Sequence, residues 1–154
     1  MLQQNNSRKI IYLAEDDDDD RILFLDAIRE LEPEIDVKVS EDGQQLLNNL
    51  HEKVWITPEI IFLDINMPCK NGFECLKEIR STSSFKNLKV IMFSTSSSAL
   101  HIELSRKLGA DYYAVKPGPY QELKELLREI MAIDWRKPPS KTEFLLVCNK
   151  INTI

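Results

Sequence analysis

Five times between Ile10 and Met131, a short apolar run is followed by apolar residues at helical spacing. The runs Ile10-Ile11-Tyr12-Leu13-Ala14, Ile60-Ile61-Phe62-Leu63, Val90-Ile91-Met92-Phe93 and Tyr112-Tyr113-Ala114-Val115 are continuous, as strands covered on both faces require. Ile35-Asp36-Val37-Lys38-Val39 alternates instead, as a strand with one wetter side does. Between and after these runs come Phe24, Leu25, Ile28 and Leu31, stopped by Pro33, then Leu46, Leu47 and Leu50 behind a candidate N-cap at Asp42. Phe73, Leu76 and Ile79 follow, then Leu100, Leu104 and Leu108 closed by Gly109, and finally Leu123, Leu126, Leu127, Ile130 and Met131. The pattern predicts an α/β fold, a doubly wound five-stranded parallel sheet with helices on both faces. Right-handed crossovers bring every strand's carboxyl end to one edge, and ligands of such sheets bind there, where the strand order reverses.

With 154 residues and domains of typically about 100–150, the chain is expected to hold one domain over 1–133 and a tail over 134–154, with no output domain. Pro138-Pro139-Ser140 is expected to break the last helix, and Phe144-Leu145-Leu146-Val147-Cys148 is apolar enough to pack back on the domain. The net charge is −5, and six of the 25 acids form the run Glu15 to Asp20, which leaves 19 acids against 20 Lys and Arg. The acidity therefore belongs to one place and is not a global field. Three cysteines without a CxxC pair, a polar start over Met1 to Asn6 and no apolar run approaching about 20 residues predict a cytoplasmic domain without a membrane span.

The strand ends offer Glu15 and Asp16, Asp64, Ser94 and Lys116. Each alone has an ordinary explanation: acids start helices, Asp and Ser make turns, and Lys-Pro marks a surface turn. Asp17 to Asp20 are expected to do no more than start the helix. Together the residues mean more, because three carboxylates at one edge resist joint ionisation unless a cation sits among them. Hard oxygens favour Mg²⁺ or a similar ion such as Mn²⁺. A lysine point charge and a serine hydroxyl suit phosphoryl oxygens. The set describes phosphoryl chemistry on an aspartate. Histidine catalysis is not expected, since His51 and His101 both fall within predicted helices, and four glycines make no phosphate-cradling loop.

Over about residues 8–133 the sequence resembles the receiver domains of two-component response regulators. The residues that carry the resemblance are Glu15-Asp16, the segment Phe62-Leu63-Asp64-Ile65-Asn66-Met67-Pro68 with Gly72, Ser94, Gly109-Ala110-Asp111 and Lys116-Pro117. The resemblance implies a flavodoxin-like receiver fold with strand order 2-1-3-4-5, and it implies Asp64 as phosphoacceptor from a phosphohistidine donor. Asp16, Asp64 and the backbone carbonyl of Asn66 would ligate the metal, with Glu15 acting through a water. Ser94 would receive the phosphoryl group and Lys116 would pair with it. Tyr113 takes the aromatic switch position and is expected to turn inward from an exposed position as Ser94 moves. In the family the bond from Lys116 to Pro117 is cis.

The implied partners are a sensor histidine kinase or histidine phosphotransfer protein, a downstream protein target, and a second copy in a phosphorylation-dependent homodimer. DNA is not expected to bind, because the charge is negative and the tail carries no basic stripe. The alternative reading is a Mg²⁺-dependent phosphatase with an aspartyl-phosphate intermediate. Such enzymes generally place a second Asp where this chain has Asn66, which transfers no proton. A flavin-binding domain of the same strand order lacks its phosphate loop here.

Overall fold

A computed structural model describes residues 9–52, 57–137 and 143–148. The elements are β1 (Ile10–Ala14), α1 (Asp18–Leu31), β2 (Asp36–Ser40), α2 (Gly43–His51), β3 (Ile60–Leu63) and α3 (Gly72–Ser81), followed by β4 (Val90–Ser94), α4 (Ala99–Leu108), β5 (Tyr112–Val115), α5 (Tyr120–Met131) and β6 (Leu145–Leu146). All pairings are parallel, in the order β2-β1-β3-β4-β5-β6. The expected order of the first five strands holds, and the sheet has six strands where five were expected. Phe144 is buried beside the added strand, and its carbonyl accepts from the Tyr113 amide at 2.9 Å. The apolar segment near the carboxyl end thus covers the open edge of β5, whose unpaired backbone groups would otherwise stay free.

Alternate residues of each strand face opposite layers. Ile11, Leu13, Phe62, Ile91 and Phe93 pack under α1 and α5, where the Phe24 ring meets Phe62 and Phe93 edge-on at centroid distances of 4.9 and 5.8 Å. Tyr12, Ile61, Leu63, Met92 and Tyr113 face the other way, toward α2, α3 and α4. Side chains start most of the helices: Asp17, Asp42 and Ser98 cap α1, α2 and α4, and Asn71 with Glu74 forms a reciprocal capping box on α3. Gly109 ends α4 at φ 98°, a left-handed conformation that glycine takes without a Cβ penalty.

Three local expectations are corrected. The second strand runs Asp36–Ser40, one residue later than its alternation suggested. The leucine stripe of α4 is only partly inward: Leu100 is 73% exposed, and the helix's one buried residue is Ser105. The last helix ends at Met131, well before the prolines, because Asp134 accepts from the Arg136 amide and folds residues 134–137 into a turn. Pro138-Pro139-Ser140 and Met1 to Asn6 lie outside the described residues.

Candidate functional site

Backbone hydrogen bonds that continue the sheet past its strands fix the site residues in line. The Glu15 amide donates to the Ser40 carbonyl at 2.9 Å, the Asp64 amide to the Ala14 carbonyl at 3.1 Å, and the Lys116 amide to the Ser94 carbonyl at 2.8 Å. The side chains that follow β1, β3 and β5 therefore emerge at one edge, beside Ser94 at the end of β4. Gly72 closes the loop after Asp64: its amide donates to the Ile65 carbonyl, and a Cβ there would sit 2.3 Å from the Asp64 carbonyl oxygen. Only a residue without a side chain lets α3 begin so close to the end of β3.

Glu15 and Asp64 are buried and Asp16 is exposed, yet one carboxylate oxygen from each lies within 4.8 Å of the others. Asp64 Oδ1 accepts from the Ile65 amide at 2.8 Å, which leaves Oδ2 toward Lys116 Nζ at 3.6 Å. Lys116 also donates to Glu15 Oε1, and to Asp20 Oδ2 at 3.1 Å. Its ammonium stands 5.5 Å from the centre of the Phe93 ring. Arg21 steadies the chain from behind by donating to the Glu15 carbonyl at 2.8 Å.

Burial pushes the Glu15 carboxyl up to about 7 although Lys116 pulls it down, and burial also raises Asp64 against the same lysine. Burial pulls the Lys116 ammonium down, but Asp64 and Glu15 outweigh it and hold its pKa above the ordinary lysine value. One lysine does not neutralise this many acids. Two buried carboxylates that resist ionisation, with an exposed third beside them, form a hard-oxygen set suited to a hydrated divalent cation.

A second, uncharged set adjoins it. Ser94 is buried, and its Oγ accepts from the Ser96 amide at 3.1 Å. Ser96 Oγ pairs with His101 Nδ1 at 2.8 Å, and the Ser96 carbonyl accepts from the Tyr113 hydroxyl at 2.8 Å. Tyr113 is fully buried, so the expected exposed starting position is corrected: its ring already fills the space beneath the loop after β4. His101 lies in α4 as predicted, but it stands in the first turn and its ring reaches back to that loop. Asn66 is exposed in the turn after β3. Among the described residues no peptide bond is cis, so Lys116–Pro117 is trans, the isomer that X-Pro bonds favour by about 0.5–1 kcal/mol.

Sequence reasoning missed Asp20, Ser96 and His101. Asp20 had a signal, because it stands four and seven residues before the buried Phe24 and Ala27, on the inward face of α1. Ser96 and His101 had none, since a serine in a polar run and a histidine in a helix are each ordinary.

A parallel sheet in this order, with acids after its first and third strands and a lysine after its fifth, has the architecture of a receiver domain. Residues 11–128 match the family described as Response regulator receiver domain, and the chain belongs to that family. It is 35% identical over 134 residues to the transcriptional regulatory protein CpxR of Klebsiella pneumoniae, covering 80% of this chain and 55% of that protein. It is 32% identical over 96 residues to the chemotaxis protein CheY1 of Helicobacter pylori, covering 62% of this chain and 76% of that protein. The chain thus spans about half the length of CpxR and about three-quarters of CheY1. Among solved structures, the phosphorylated cyanobacterial phytochrome response regulator RcpA has a TM-score of 0.75 at 29% identity, covering 80% of this chain and 91% of its own. The Mn²⁺-bound form of response regulator Rcp1 has a TM-score of 0.74 at 25% identity, covering 82% and 94%. The family assignment lends no support to the phosphatase alternative. No helix among the described residues is long and apolar enough to cross a membrane.

Proposed function

We propose that the chain is a phosphorylation-controlled binding module in which Asp64 is the phosphoacceptor. The observation that carries this is the asymmetry of the Asp64 carboxylate: one oxygen is pinned by a backbone amide and the other faces a buried ammonium. The oxygen that faces Lys116 attacks the phosphorus of a phosphohistidine donor, a P–O bond forms, the P–N bond breaks, and its electron pair returns to the imidazole. Asp16, Asp64 and the Asn66 carbonyl would hold a Mg²⁺ or Mn²⁺ ion directly and Glu15 through a water. When bound, the ion neutralises phosphoryl charge. Lys116 pairs with the transferred group, and the Ser94 hydroxyl leaves the Ser96 amide to donate to a phosphoryl oxygen.

Loss of that bond at Ser96 is the switch. Ser96 also holds Tyr113 and His101, so a shift there reaches β5 and α4 without any inward swing of the tyrosine ring. The readers are protein partners or a second copy rather than DNA, in keeping with the negative charge. The domain acts in the cytoplasm, and its receiver unit continues past residue 133 to include β6. Similarity to RcpA makes a phytochrome histidine kinase the first donor to test.

The test follows hydrogen exchange in α4 after transfer from a phosphorylated histidine donor. Ser94→Ala should still accept the phosphoryl group but lose the change in α4 exchange. An equal exchange response in Ser94→Ala and wild type would contradict the coupling through Ser96.

A further inference from the structure

Lys116 has more acidic partners than the phosphoryl reaction needs. In the mechanism above it turns toward the group on Asp64, yet its ammonium lies 3.1 Å from Asp20 Oδ2 and 3.6 Å from Asp64 Oδ2. Asp20 comes from the first turn of α1, not from a strand end. Its amide donates to the N-cap Asp17 Oδ1 at 2.9 Å, which fixes it on the helix face that carries Phe24 and Ala27. The Asp20 side chain is 40% exposed while that of Lys116 is 8% exposed, so the acid reaches in from solvent to a nearly buried cation. A cavity of about 150 Å³ lies against the pair, lined in part by Leu23, Phe93, Pro117 and Leu123. It leaves the lysine stem room to pivot.

We propose that Asp20 is a positioning residue that shares Lys116 with Asp64 and Glu15 in the resting state and so draws part of its charge away from Asp64. Asp20 and the phosphoryl group compete for one ammonium. Before transfer, Asp20 takes part of its charge and adds a negative charge of its own near the entry path of an anionic donor. After transfer, Lys116 leaves Asp20 for the phosphoryl oxygens, and the first turn of α1 loses a contact to the β5–α5 loop. Release of Asp20 thus becomes part of the cost of phosphorylation. This inference rests on the assignment of Asp64 as phosphoacceptor.

The neighbouring acid supplies the control. Asp19 is exposed in the same helical turn and has the same charge. Asp20→Asn keeps the shape and removes the competing charge, whereas Asp19→Asn removes an equal charge that does not face Lys116. The probe is beryllofluoride with Mg²⁺, a phosphoryl mimic, with binding followed by fluorine NMR. Asp20→Asn should bind it about two- to fivefold more tightly, the range expected for one half-exposed ion pair. Asp19→Asn should match wild type, and Asp20→Glu should restore most of the wild-type affinity. In Lys116→Met the Asp20→Asn gain should disappear, a readout that a structural role for Asp20 would not produce. Equal tightening by Asp19→Asn and Asp20→Asn, or no tightening by Asp20→Asn, would overturn the inference. Failure of wild type itself to bind the mimic, or binding that survives Asp64→Asn, would instead overturn the assignment of Asp64.

Discussion

Two hydrogen-bonded sets meet at the carboxyl edge of the sheet, and they are made of opposite materials. Glu15, Asp16, Asp20, Asp64 and Lys116 form a charged set with one cation among four acids. Ser94, Ser96, His101 and Tyr113 form an uncharged set in which each side chain has a partner within 3.1 Å. The charged set is under electrostatic stress, as the raised carboxyls of Glu15 and Asp64 show. The uncharged set is satisfied and keeps the geometry of the loop after β4. A signalling site needs both. The stressed set responds to added charge, and the satisfied set turns that response into a defined movement instead of a general loosening.

The largest expected effect separates the two sets by pH. Glu15 rises from an ordinary 4.5 to about 7 in the folded chain. Between those values the folded state keeps a proton that the unfolded state has released, so stability falls as pH rises. The metal-free chain should therefore lose stability as pH rises through that window. Urea midpoints taken through it check this, and saturating Mg²⁺ above neutral pH should recover much of the loss. A flat or rising profile without metal would show that the charged set is not stressed.

A smaller effect belongs to the uncharged set. Tyr113→Phe deletes the hydroxyl that donates to the Ser96 carbonyl and should cost about 0.5–1.5 kcal/mol. Because no acid takes part in that bond, the cost should be the same on both sides of neutral pH. A cost that grew with pH would tie Tyr113 to the charged set and dissolve the contrast.

The same contrast decided what the sequence revealed. Acids and a lysine at strand ends are conspicuous, so Glu15, Asp16, Asp64 and Lys116 were legible, as was the five-strand core that aligns them. Asp20 was hidden inside a run of acids whose helix-starting role explains most of its members. Ser96 and His101 were hidden because their meaning lies in a hydrogen bond between a loop and a helix, which no periodicity encodes. The position of β6 was hidden for a related reason. Phe144 to Cys148 is plainly apolar, but pairing with the open edge of β5 is a property of the assembled sheet. In α4, leucines at helical spacing suggested a buried stripe, yet Leu100 faces solvent. Spacing gives the direction of a face, and only the packed neighbours decide how much of it is covered.

The assignment of Asp64 is tested most directly by intact-mass measurement after incubation with a small acyl phosphate donor, with Mg²⁺ and with a chelator. Wild type should gain a single phosphoryl group with Mg²⁺ and none with chelator, and Asp64→Asn should gain none in either condition. A phosphoryl group gained by Asp64→Asn to the same extent as wild type would contradict the account.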